Sequence, residues 1–275
     1  MAQITFTPAA AFSLDALATL FTRSFEAYFY PGITTPEVLA RRIVTENIDL
    51  LRSVILVVDG EPSGVALLAR RAQQAWCGGF GVVRDRRGQG LAHQLTAAML
   101  EQARAAGAER LTLEVLTRNL AALRVYERAG FTIARRLLVL VWHPDDDVEL
   151  DGPPLATADP ETLVMSHFAA FHPVRAAWQR APAALLSQPD LRGLTLSEAG
   201  VLVAYALVTG DTHALRLIDL GARDELAARH MLLGLQAHAS SLTSVNEPTD
   251  SSLTPAFMRV GFVVADEQHE LTLAL

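Results

Sequence analysis

Cysteine is almost absent from this chain: Cys77 is the only one in 275 residues. No intrachain disulfide can form, and a metal site built from several cysteines is excluded. Charge is sparse, at 19% of residues, and the balance is acidic, with a formal net charge of -7. That balance argues against general attraction to nucleic acid or to an anionic membrane. No long uninterrupted apolar run occurs, so no segment reads as a membrane crossing. The opening residues, MAQITFTPAAAF, lack a basic stretch followed by an apolar core, so no secretory signal is read there. These absences point to a cytoplasmic protein. Apolar residues, in contrast, make up 51% of the chain, enough for one large core or two of ordinary size.

The stretch from Trp76 to Ala92, WCGGFGVVRDRRGQGLA, organises the rest. It reads as a strand ending near Val83, a turn through Arg84, Asp85 and Arg86, and then Arg87-Gly88-Gln89-Gly90-Leu91-Ala92 opening a long helix. Glycines at a strand-to-helix turn let another molecule approach the backbone. The first N–H groups of a helix lack helical partners, and the helix dipole adds positive potential there. This is the construction of a phosphate or pyrophosphate cradle. A Walker turn would need Gly-Lys-Ser/Thr, which does not occur. A dinucleotide fingerprint would need its glycines after an early strand, within a βαβ unit.

Upstream, a weak alternation over 2–7 suggests a strand, and apolar spacing predicts a helix from Leu14 to Phe29, stopped by Pro31-Gly32. A second helix is expected over 35–47, a hairpin over 54–70, and a further strand over 75–83. After the glycine turn come a helix over about 90–106, the strand Leu111–Val115, a helix from Asn119 to Arg128, and a last strand from Phe131 to Trp142. Gly130 reads as the stop of that helix. The order is α/β, with a mixed, mostly antiparallel sheet.

The second half echoes the first. Ser24–Pro31 resembles Ser166–Pro173, and Arg128-Ala129-Gly130-Phe131 resembles Arg259-Val260-Gly261-Phe262. Without gaps, the latter match sets Leu111 against Leu242, Asn119 against Asp250 and Tyr126 against Phe257. A duplication is expected, with domains over 1–145 and 160–275 joined by the proline- and aspartate-rich segment 146–159. The second copy reads as degenerate. Its turn, Leu220–Leu226, keeps one glycine, Glu225 would oppose a phosphate, and Phe257 has no phenolic proton.

The turn at Arg87, Gly88, Gly90 and Ala92, followed by Asn119, Tyr126 and Gly130-Phe131, resembles the GNAT superfamily of Gcn5-related N-acetyltransferases. The resemblance is strong over about 50–142, and implies the GNAT fold in tandem duplication. It implies an acyl donor, acetyl-CoA, and an amine acceptor, either a small molecule or a peptide N-terminus. Backbone groups of Gly88, Gln89, Gly90, Leu91 and Ala92 would then hold the pyrophosphate, with Arg87 adding charge. Val82 and Val83 would pair with the pantetheine arm. Asn119 would contact that arm or only cap its helix.

The same resemblance makes Tyr126 the candidate general acid for the departing thiolate, against an ordinary amphipathic packing role. Glu114, in the strand Leu-Thr-Leu-Glu-Val, is the candidate base, acting through water as in ribosomal-protein N-terminal acetyltransferases; the bland reading is a polar sheet residue. Glu26 is the backup base, or a solvated helix residue. Cys77 reads as a buried small hydrophobe. No metal, nucleic acid or membrane partner is expected, and a monomer is expected ahead of a homodimer. The competing reading is an acyl-CoA-binding sensor or regulatory module without turnover.

Overall fold

The structure is a computed structural model, and it describes residues 2–30, 32–144 and 151–275. The first half of the chain folds as β1 (Ile4–Pro8), α1 (Leu14–Ser24), α2 (Pro36–Glu46), β2 (Val54–Val58), β3 (Glu61–Arg71), β4 (Gln74–Val82), α3 (Leu91–Ala105), β5 (Arg110–Leu116), α4 (Leu120–Arg128) and β6 (Thr132–Trp142). The second half follows with β7 (Ala156–Ala158), α5 (Pro160–Phe171), α6 (Pro182–Leu185), β8 (Arg192–Glu198), β9 (Val201–Gly210), β10 (Leu215–Ala222), α7 (Glu225–Gln236), β11 (Leu242–Pro248), α8 (Thr254–Arg259) and β12 (Val263–Ala274). The two halves repeat one order of elements, as the duplication predicts. Among the described residues, no helix is long and apolar enough to cross a membrane.

The chain forms two compact units, one reaching Ala134 and including Glu270–Leu275, the other Arg135–His269. Their bounds fall inside β6 and β12, because the last strand of each half contributes to the other unit. In the first unit the order is β1-β2-β3-β4-β5, with the end of β12 beyond β5. The Leu275 N–H donates to the Glu109 carbonyl at 2.9 Å, and Leu271 is fully buried beside Leu95, Met99, Leu111 and Leu113. In the second unit β6 pairs antiparallel with β11, and the order continues β10-β9-β8-β7. Residues 146–150 of the expected linker lie outside the described residues, whereas 156–158 form β7 and pair with β8.

Polar caps set several helix starts. The Ser13 and Thr35 hydroxyls accept from the N–H groups of Ala16 and Val38, and Pro36 occupies the first turn of α2, where its missing N–H is harmless. One expected boundary is corrected. Apolar spacing carried α1 to Phe29, but the helix ends at Ser24. Ala27 has φ 58°, which breaks the helix, and the Arg87 guanidinium binds the carbonyls of Ser24 and Glu26. Pro31, expected to stop the helix, lies outside the described residues.

The glycines of β4 explain how α1 approaches so closely. A Cβ at Gly79 would lie 2.6 Å from the Phe21 ring, and one at Gly81 would lie 2.9 Å from the Ser24 carbonyl oxygen. Phe21 and Phe25 stack with ring centroids 4.5 Å apart. The glycine-rich strand therefore serves packing as well as the turn that follows it.

Candidate active site

β4 and β5 run parallel and pair only from Gln74 with Arg110 to Cys77 with Leu113. Beyond that register they part. Glu114 is the first residue of β5 past the last pair. A cavity of about 700 Å³ lies in the first unit, lined by Phe80, Gly81 and Val82 of β4, the glycine turn, the start of α3, and Asn119 to Arg128 along α4. Ser24, Phe25, Ala27, Tyr28 and Phe29 complete the lining.

Gly88 and Gly90 have φ 77° and 75°, and a Cβ at either would meet nothing within 4 Å. Glycine is favoured here by the left-handed backbone, and the space a side chain would fill is open. Gly90 is the residue before α3 and provides no side-chain cap. The first N–H groups of this 15-residue helix thus meet the cavity at Leu91 and Ala92 without a competing carboxylate. Gln89 does not line the cavity; its amide donates to the Asp85 carbonyl at 3.3 Å.

Arg87 lines the cavity, but its guanidinium is engaged within the protein. It donates to the carbonyls of Val82 at 2.9 Å, Ser24 at 3.0 Å and Glu26 at 3.0 Å. It staples the end of α1 to the end of β4. Val82 and Val83 are also distinguished. The Val83 N–H donates to Ser63 of β3 at 2.9 Å, and its carbonyl accepts from Arg86 at 3.0 Å. Backbone groups alternate along a strand, so Val82 and, two residues back, Phe80 turn theirs away from β3; the Val82 carbonyl is taken by Arg87, which leaves the Val82 N–H and the Phe80 groups at that edge. Glu26 does not reach the cavity lining; its side chain is exposed and lies 3.9 Å from Arg84.

Tyr126 is 5% exposed and lines the cavity. Its ring meets Phe80 and Phe131 edge-on, at centroid distances of 5.6 and 5.7 Å. Burial, reinforced by Cys77 and Tyr28, pushes its phenol well above the ordinary tyrosine range, so it stays protonated at neutral pH. Asn119 caps α4, its Oδ1 accepting from Ala122 at 3.2 Å, and also lines the cavity. Glu114 does not line the cavity. Leu113 and Val115 belong to the core that holds Tyr126, so strand alternation turns Glu114 to the other face. There its Oε2 accepts from the Trp76 indole N–H at 2.7 Å. Cys77 lies at the junction of the two strands, and burial pushes its thiol up to about 12.

Lining residues that the sequence did not single out include Phe80, His93 and Arg128. His93 sits one turn into α3, and its Nε2 lies 3.4 Å from the Arg128 guanidinium at the end of α4. Arg86 and Arg128 bring two guanidinium charges to the cavity lining. The available signal was spacing: Arg128 follows Tyr126 by two residues, and His93 follows Gly90 by three.

The second unit repeats the frame with different contents. β10 and β11 are parallel from Leu215 with Leu242 to Leu217 with Ser244, then part. The helix stop recurs: Phe131 N–H donates to Tyr126 and Phe262 N–H donates to Phe257, both at 3.0 Å, with Gly130 at φ 94° and Gly261 at φ 86°. Where the first unit opens, charges are buried. Asp219, fully buried, accepts from the Tyr205 hydroxyl at 3.0 Å and lies 3.1 Å from His172 Nε2. Arg180 donates to Glu247 and approaches Asp219 at 3.5 Å. Phe257 is fully buried, and the Asp224 carboxylate already caps α7, accepting from Ala227 at 2.9 Å.

Residues 14–131 match the acetyltransferase (GNAT) family. Over its full length the chain is similar to a GCN5-related N-acetyltransferase from Sphaerobacter thermophilus, at 17% identity and TM-score 0.70, covering 99% of this chain and 95% of that one. It is similar to a tandem GNAT protein from the clavulanic acid biosynthesis pathway, at 16% identity and TM-score 0.68, covering 99% and 98% of the two chains. A GCN5-related N-acetyltransferase from Kribbella flavida gives 15% identity and TM-score 0.62, covering 100% of this chain and 71% of that one. No curated protein sequence matches the chain.

Proposed function

We propose that this chain, whose residues 14–131 match the acetyltransferase (GNAT) family and whose fold is that of a tandem GNAT protein, moves an acetyl group from acetyl-CoA to a primary amine at the cavity of the first unit. The observation that carries this is the convergence on one cavity of two open, left-handed glycines, a helix N-terminus and a buried, protonated tyrosine. Acetyl-CoA supplies an activated thioester. The N–H groups from Gly88 to Ala92 suit its pyrophosphate, and Arg86, Arg128 and His93 suit its remaining phosphate. The backbone groups of Phe80 and the N–H of Val82 suit an extended amide arm.

Direct attack by the amine fits this chain. The 23 basic residues are all arginine, so no lysine can carry an acyl group, and the Cys77 thiol is buried and held protonated. Tyr126 donates its proton to the departing sulfur. Glu114, on the opposite face at the same strand junction, accepts the proton of the attacking amine through water. Acid and base thus stand on either side of one opening in the sheet.

The test is release of free coenzyme A thiol from acetyl-CoA against a panel of peptides with free N-termini, amino acids, amino sugars and polyamines. Turnover with at least one amine, lost in Tyr126→Phe, is expected. Tight acetyl-CoA binding with no turnover across the panel would favour a sensor instead.

A further inference from the structure

We propose that Trp76 is a positioning residue, whose indole N–H holds the Glu114 carboxylate in place at the junction of β4 and β5. This rests on the reading of Glu114 as the base. The Nε1–Oε2 distance is 2.7 Å, and Trp76 is 1% exposed. Glu114 is half-buried, and a hydrogen bond from an indole to a carboxylate there is stronger than one at the surface.

The indole is itself held. A Cβ on Gly78 would collide with Cζ3 of Trp76 and lie 2.6 Å from Cη2, so the ring occupies the space a side chain there would need. Arg42 of α2 donates to the Gly78 carbonyl, pairs with Glu46 at 2.9 Å, and lies 5.3 Å from the Phe21 ring centroid. α2, the Gly78 backbone, the indole and the carboxylate form one chain of contacts. Trp76 pairs in register with Thr112, two residues before Glu114, on the side where β4 and β5 are still joined. The donor therefore stands on the rigid side of the opening and the carboxylate at its edge.

A buried tryptophan commonly finds an acceptor for its N–H simply as part of packing. A positioning role makes a further demand: the N–H must bias Glu114 towards its charged form. Losing it moves the acid limb of kcat/KM upwards in pH. Among the described residues, the ionisable or charged groups around this junction include Cys77 of β4, Arg42 and Glu46 of α2, Arg71 of β3 beside Glu46, Tyr126 of α4, and Tyr28. Cys77 and Tyr126 are pushed too high to titrate near neutrality. Glu46 is raised by burial, so Glu46→Gln is the necessary control.

The experiment follows the indole ¹H–¹⁵N resonance of Trp76 in the full chain between pH 4 and 8, assigned by its loss in Trp76→Phe. The resonance is expected to titrate together with the acid limb of kcat/KM, measured with acetyl-CoA and the fastest amine of the panel. That titration should persist in Glu46→Gln and vanish in Glu114→Gln. Trp76→Phe is expected to move the acid limb up by about one pH unit, the size of one hydrogen bond to a charged group, with the acetyl-CoA KM unchanged. A flat Trp76 resonance, or an unmoved acid limb in Trp76→Phe, overturns the positioning role. If Trp76→Phe does not fold, the wild-type titration decides alone. Full activity and an intact acid limb in Glu114→Gln would instead remove Glu114 as base, and this inference with it.

Discussion

Gly90 and Asp224 hold the same position in the two units, each immediately before the helix that follows the strand at the opening. Gly90 leaves the N-terminus of α3 bare, whereas the Asp224 carboxylate caps α7 and adds negative charge beside Glu225. One end is ready for an anion and the other has its own. Asp224→Ala is therefore expected to lower stability by about 1 kcal/mol, the usual cost of a lost cap, while leaving acetyl-CoA affinity unchanged. Denaturant unfolding and calorimetry on the same sample check both.

Arg87→Lys is expected to be far from conservative. A lysine ammonium cannot reproduce the planar fork that joins Val82, Ser24 and Glu26. The variant should melt several degrees lower. Its acetyl-CoA KM should rise roughly tenfold, with a smaller loss in kcat, because the cavity wall loosens while Tyr126 stays in place. An unchanged melting temperature would show that the staple contributes nothing.

Tyr126→Phe keeps the ring contacts with Phe80 and Phe131 and removes only the hydroxyl. Acetyl-CoA affinity should persist while kcat falls about 10²- to 10⁴-fold, the usual range for losing a general acid. Wild-type turnover in this variant would assign protonation of the thiolate to another group or to water.

The second unit's buried charges give its stability a pH dependence. Burial alone would push the His172 imidazole down, but the Asp219 carboxylate outweighs it and the net direction is up. A raised imidazole contributes fully below its unfolded pKa, about 6.5, and its contribution is lost as pH rises through the folded value. Burial works against ionised Asp219 as well, yet His172, Arg180 and Tyr205 hold it low. Its contribution is present above about pH 3.9 and is lost as pH falls through the folded value. His172→Gln should thus lower Tm by roughly 2–4 °C between pH 4 and 6.5, the effect of about 1 kcal/mol in a domain of this size. The difference should shrink on going alkaline. A constant difference from pH 5 to 9 would exclude the ion pair as its source.

Much of this site is local and was therefore legible in the sequence. The glycine turn, the Asn119 cap, Tyr126 and the Gly130-Phe131 stop each fall within one short stretch. Their second-half echoes at Gly261 and Phe262 share one geometry for the same reason. What escaped depends on distant partners. Arg87 reads as a phosphate ligand until the chain brings Ser24 and Glu26 beside it. Val83 reads as a free strand end until Ser63 takes its N–H. The Trp76–Glu114 bond joins two strands across the α3 segment. Strand alternation identifies β6 and β12 as strands, but nothing in an apolar period of two names the neighbouring strand.

Acyl-donor binding is proposed to reside in the first unit alone, at the turn held by Gly90. Calorimetric titration of the full chain with acetyl-CoA tests it most directly, comparing wild type with Gly90→Val. A β-branched residue at φ 75° is strained and projects into the open cradle. One equivalent bound per chain is expected, weakened at least tenfold in a folded Gly90→Val variant. Two equivalents per chain, or undiminished affinity in that variant, would contradict it.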